Sequence, residues 1–198
     1  EERIFFLFMT VDTLAIYYNK AHFEDRIPSR GRPSETWDGI IDDVTKLTKA
    51  DSSFSRFEVS GIAMGRADNV SRAIDLIYTL FLQYGVEFYN ENISEASFAG
   101  RSGLDGEYPA LSALEFFTSF ADEDAKQYCW NEFTADDDLG QDVQAFAEGR
   151  VSMIAGYSYT YDDILNEIDL LREEGVKTID YEDVQVAPMP QLYNPKTS

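Results

Sequence analysis

The stretch VQAFAEGRVSMIAGYSYTYDDILNEIDLLREEGVKTIDYEDVQVAPMP, residues 143–190, leaves few folds open. It reads as a short helix stopped by Gly149 and an apolar strand in RVSMIAG. A helix in DDILNEIDLLREEG stopped by Gly175 follows, then a strand in VQVAPMP that runs into prolines. Glycine after the last helical turn is a stop signal because it takes up left-handed backbone angles without steric cost. Strands and helices that alternate at this length must bury a sheet beneath helices, which predicts an α/β domain.

The rest of the chain repeats the pattern. FFLFM and TLAIYY, within residues 5–18, are aromatic and β-branched and read as extended; residues 24–35 are a Pro/Gly/Ser/charge loop. Thr36 is placed to cap a helix whose buried face is Trp37, Ile40, Ile41, Val44 and Leu47. RFEVSGIAMG reads as one strand closing at Gly65. Asp68 or Asn69 is expected to cap the next helix, with Val70, Ala73, Ile74, Ile77, Phe81 and Tyr84 as its stripe and Gly85 as its stop. After a polar, aromatic loop over 86–108, Pro109 suits a first helical position, followed by a stripe of Ala113, Phe116, Phe117 and Phe120. CWNEFTADDDLGQD reads as irregular.

At 198 residues the chain fits one domain with ample material for a core. Its net charge of −21 excludes nucleic acid as a natural partner, since phosphate binding rests on Lys and Arg, and disfavours an anionic membrane surface. A single cysteine (Cys129) forbids an internal disulfide, and one histidine (His22) leaves too few ligands for an ordinary zinc site. No run reaches transmembrane length, so no direct membrane insertion is expected. The chain opens on Glu-Glu-Arg without Met, which leads us to expect a piece cut from something longer.

Several residues carry candidate chemistry. Trp130, Asn131, Tyr157, Tyr159 and Tyr161 fall in or beside loops rather than in helical stripes, and flat rings beside amide edges suit sugars. Asp68, Asn69 and Arg72 mark a polar helix start, which serves either as a cap or as a surface toward a ligand. Asp136, Asp138 and Asp142 with Gly140 resemble a calcium loop, but the glycine is misplaced and the terminal bidentate Glu is missing, so a solvated acidic loop is expected and no metal site is assigned. With 37 acidic residues a carboxylate pair arises by chance, and no hydrolytic motif accompanies one. A calcium-stabilised interaction domain and a glycan-acting enzyme therefore stand only as alternatives.

Five segments in order carry a resemblance: VDTLAIYYNKAHFED with PSETWDGIIDDVTKLT, then GIAMGRADNVSRAIDLIYTLFLQYG, ALEFFTSFADEDAKQYCWNEF, AFAEGRVSMIAGYSY and VQVAPMPQ. Together they resemble the family 1 extracellular solute-binding proteins of ABC transporters, the maltose-binding-protein-like group. The resemblance implies a three-layer α/β lobe of the type II periplasmic-binding fold, a sheet flanked by helices. It implies that residues 1–198 are the second, C-terminal-type lobe alone, the first lobe being absent. It further implies a non-enzymatic, extracytoplasmic protein without cofactor that binds a small-molecule solute, a sugar or oligosaccharide, and hands it to the membrane subunits of an ABC transporter. By position in the family pattern Asp12 would accept sugar hydroxyls. Tyr159, counted from Phe146, Gly149 and Met153, would stack beneath a ring, and Asp68, Asn69, Arg72, Trp130 and Asn131 would line the wall. The chain departs from the family in having Phe8-Met9-Thr10 where a hinge proline is common.

Overall fold

The computed structural model describes residues 9–52, 56–101, 108–135 and 141–192. In chain order the elements are β1 (Ala15–Asn19), α1 (Lys20–Arg26), α2 (Trp37–Leu47), β2 (Lys49–Ala50), β3 (Phe57–Val59), α3 (Ala73–Gln83), α4 (Pro109–Thr118), α5 (Gln141–Ala147), β4 (Met153–Gly156), α6 (Thr160–Glu173) and β5 (Val184–Pro188). Of the first extended run expected, residues 5–8 lie outside the described residues.

β1 is the central strand of a three-stranded sheet ordered β4-β1-β5, and both neighbours run antiparallel to it. Ala15 faces Gly156 on one side and Pro188 on the other. Ile16 to Asn19 are all buried, so both faces of β1 are covered, as a central strand between two helical layers requires. The layers contribute Trp37, Ile40, Val44 and Leu47 from α2, Leu76 and Leu80 from α3, Phe117 from α4, Phe146 from α5 and Ile164 and Ile168 from α6. The protein is an α/β lobe, its sheet flanked by helices.

The local signals explain most elements. Thr36 Oγ1 accepts from Gly39 N–H at 3.3 Å and opens α2, while Pro109 opens α4 at a position where its missing N–H costs nothing. Gly85, Gly149 and Gly175 take φ of +75°, +76° and +78° just past α3, α5 and α6.

Three expectations are corrected. The 24–35 loop starts late, because Asn19 caps α1 by accepting from His22 N–H and the helix runs through Arg26. The strand expected over 56–65 is only Phe57–Val59, paired with β2; at Gly61 the chain turns against α2, and 62–64 run buried beside β4 with Ala63 N–H donating to Met153 at 3.0 Å. Neither Asp68 nor Asn69 caps α3, which begins at Ala73 without a side-chain cap. Its buried line is Ala73, Leu76 and Leu80, while Ile74 is 71% exposed. Apolar residues surround α3 on nearly every side, so periodicity does not fix which face turns inward.

Candidate functional site

The start of β1, the turn that follows β4 and the turn that precedes α3 converge on one surface. The first of these turns, Tyr157-Ser158-Tyr159, is held from three directions. Tyr157 N–H donates to Thr160 Oγ1 at 3.1 Å, and Tyr17, rising from β1, donates its hydroxyl to the Tyr157 carbonyl at 2.8 Å. Asp12 accepts from Ser158 Oγ at 2.9 Å and from Ser158 N–H at 3.3 Å. The Ser158 hydroxyl holds the exposed Asp12 carboxyl below its ordinary range, so it is an anion at neutral pH.

This turn projects two rings. Tyr157 and Tyr159 stack with centroids 5.9 Å apart and planes inclined by 26°. The Arg72 guanidinium lies 5.6 Å from one centroid and 5.3 Å from the other, within cation–π range. Asp75, in the first turn of α3, ties the group together: it accepts the Tyr157 hydroxyl at 3.1 Å and sits 3.7 Å from Arg72. Burial, then Asp75, push the Tyr157 phenol up, so it stays protonated as a donor. Tyr159 is 46% exposed.

The second turn adds an ionic edge. Arg66 donates from Nε to Asp68 at 2.9 Å and from its other arm to Glu132 at 3.1 Å. The bond from Arg66 holds the Asp68 carboxyl below its usual range. From Arg72 a cleft of about 520 Å³ continues along α6 past Thr160, Asp163 and Glu167. Burial and the negative charges of Glu148 and Glu174 push the Glu167 carboxyl up.

Of the eight residues expected to face ligand, Asp12, Arg72, Tyr157 and Tyr159 share this surface, and Asp68 lies in the turn before α3, paired with Arg66. The other three lie inside. Trp130 is 0% exposed and donates its indole N–H to Asn69 Oδ1 at 2.7 Å; Asn69, 2% exposed, gives both amide protons to the carbonyls of Asn131 and Ala135 at 3.0 Å. Asn131 is also buried and accepts from Phe133 N–H and Thr134 Oγ1, each at 3.0 Å. A side chain spent in this way braces the wall from behind and cannot stack on or bond a ligand at its surface. Asp75, Ser158, Tyr17 and Glu132 were missed; only Asp75 had a local signal, lying three residues after Arg72 on a helix.

Asp136, Asp138 and Gly140 lie outside the described residues, and Asp142 is buried against Ser71. Among the described residues no three His, Cys, Asp or Glu side chains group as a metal site. Cys129 is buried and its thiol is pushed up to about 12, which leaves it unreactive. Asp12 is engaged by Ser158, Asp68 by Arg66 and Asp75 by Tyr157 and Arg72.

An α/β fold whose sheet is flanked by helices resembles the lobes of periplasmic solute-binding proteins. The chain belongs to the bacterial extracellular solute-binding protein family, whose model matches residues 7–197. It is similar to an ABC-transporter solute-binding protein from Thermotoga lettingae bound with α-D-tagatose, at 21% identity and a TM-score of 0.65 over 93% of this chain and 40% of that one. Maltose-bound MalE3 of T. maritima matches at 16% identity and 0.58, over 91% of this chain and 39% of that one. The Listeria monocytogenes protein Lmo0181 in complex with cycloalternan matches at 16% and 0.59, over 92% and 38%. The chain thus spans 40% or less of the length of these solved structures. No curated protein matches the sequence.

Proposed function

We propose that residues 1–198 form one lobe, the second, of an extracytoplasmic solute-binding protein that captures a sugar or oligosaccharide for the membrane subunits of an ABC importer. Tyr159 carries the reading: a half-exposed ring beside Arg72, with the anionic Asp12 bonded to the adjacent Ser158. The C–H face of a pyranose stacks on such a ring while its hydroxyls donate to carboxylates and accept from a guanidinium. Tagatose, maltose and cycloalternan in the similar structures support the same ligand class. The protein works without a cofactor and makes or breaks no bond; a facing lobe closes over the solute by hinge rotation. Nucleic acid is no partner of a chain with net charge −21, and among the described residues no helix is long and apolar enough to cross a membrane.

Ligand pockets normally bury about 70–90% of the ligand, so a single wall should bind weakly, with a dissociation constant above about 1 µM. The test is titration of the isotope-labelled chain with tagatose, maltotriose and chitobiose. Resonances of Tyr159 and the Arg72 side chain are expected to move for at least one sugar, and Tyr159→Ala to weaken that binding about tenfold, on the order of 1.4 kcal/mol. Sugars that leave both residues unmoved would overturn the site; submicromolar binding would overturn the half-cleft.

A further inference from the structure

Arg72 sits over the two tyrosines although the helix it precedes has no side-chain cap of its own. The turn carrying it is instead gripped from α5. Asp142, in the first turn of α5 and 2% exposed, accepts from the backbone N–H of Ser71 at 3.1 Å, and its second oxygen accepts from the Ser71 hydroxyl. A buried carboxylate is costly unless its oxygens are bonded, and here both are engaged by the residue next to Arg72. The Asn69–Trp130 brace secures the other end of the same turn.

We propose that Asp142 is a positioning residue for the ligand-facing wall: by fixing Ser71 through two hydrogen bonds it holds Arg72 over Tyr157 and Tyr159. The acidic residue that resembles part of a calcium loop in the sequence is thereby a latch between α5 and the turn before α3. Burial pushes its carboxyl above the ordinary range, as desolvation of such a latch demands. The consequence for affinity rests on the sugar-binding reading; the geometric part does not.

Two variants approach the latch from opposite ends. Asp142→Asn keeps the shape and one acceptor but loses the charge, whereas Ser71→Ala removes one bond without touching α5. The readout is the Arg72 Nε–H resonance, which the currents of the two rings shift in the wild type, assigned through its loss in Arg72→Lys. Both variants are expected to move it toward the position of a solvated arginine, and the double variant to move it no further than Asp142→Asn does. An unmoved resonance in Ser71→Ala and Asp142→Asn, even with a lowered melting temperature, would overturn the proposal, because Asp142 would then only stabilise α5. Where maltotriose binds the wild type, both variants should weaken it by about tenfold, the scale of one lost charge-assisted hydrogen bond. Absence of sugar binding by the wild type would count against the wall as a sugar site, while the resonance still decides the latch.

Discussion

His22 is held in α1 with its Nδ1 paired to Ser152 Oγ at 2.9 Å, and burial, helped by Lys49, pushes its pKa down from 6.5 to about 4. Between those two values the unfolded chain binds a proton that the folded chain refuses. Stability is therefore fully present above pH 6.5 and falls as the pH drops toward 4. At 1.36 kcal/mol per unit the loss is at most about 3 kcal/mol, nearer about 2 kcal/mol once solvent at the exposed ring edge is counted. His22→Gln should flatten chemical-denaturation stability across this window, and a wild-type slope surviving the substitution would assign it to other groups. Asp142, with its raised carboxyl, contributes with the opposite sign, and the lowered Asp12, Asp42 and Asp68 act below the window. At this scale the sequence was a partial guide. Tyr159 was legible as a loop residue and Arg72 as part of a polar helix start, whereas Asp12 came from the resemblance. That Trp130 points inward was not, since its acceptor, Asn69, is 61 residues away and no local rule pairs them.

α2 shows how an element is fixed partly by itself and partly by what it touches. Its Thr36 cap and its stripe of Trp37, Ile40, Val44 and Leu47 were readable, as were the glycine stops after α3, α5 and α6. The segment it packs on was not. A Cβ at Gly61 would stand 2.8 Å from Val44 Cα and 2.9 Å from Val44 Cγ1, so the backbone of 60–64 approaches α2 more closely than any side chain permits. This approach turns the chain out of β3 and cuts short the strand read over 56–65, although Phe57, Val59, Ile62 and Met64 look like strand residues. Gly61→Ala is expected to destabilise by about 1–3 kcal/mol through overpacking. A lower denaturation midpoint at unchanged slope would show it, whereas an unchanged midpoint would mean that α2 yields freely. The sheet order was equally hidden: β1 pairs with strands that begin at Met153 and Val184, and pairing across such separations leaves no trace in periodicity.

For the whole molecule the decisive quantity is charge. Thirty-seven acidic residues against 16 basic ones give −21, so most carboxylates repel one another in the compact state, and the open, unfolded chain relieves that repulsion. α6 and its flank illustrate the density: Asp162, Asp163, Glu167, Asp169, Glu173 and Glu174 stand with one arginine, Arg172, which is already engaged by Thr178 and the Ile179 carbonyl. Salt acts on both sides of this balance. It weakens exposed pairs such as Lys126–Asp42 and Lys20–Glu24, which solvent already screens. It also shortens the screening length from about 10 Å at 0.1 M to about 3 Å at 1 M, which removes repulsion summed over many carboxylates. The sum outweighs the few pairs, so the melting temperature should rise with sodium chloride, by about 5 °C between 0.05 and 1 M for an effect near 2 kcal/mol. Chloride is preferred to sulfate because sulfate strengthens apolar burial independently of charge. Asp162→Lys with Glu173→Lys and Glu174→Lys should raise stability at low salt and reduce the slope. A melting temperature that falls with sodium chloride would mean that the ion pairs, few as they are, hold the lobe more firmly than its charge strains it.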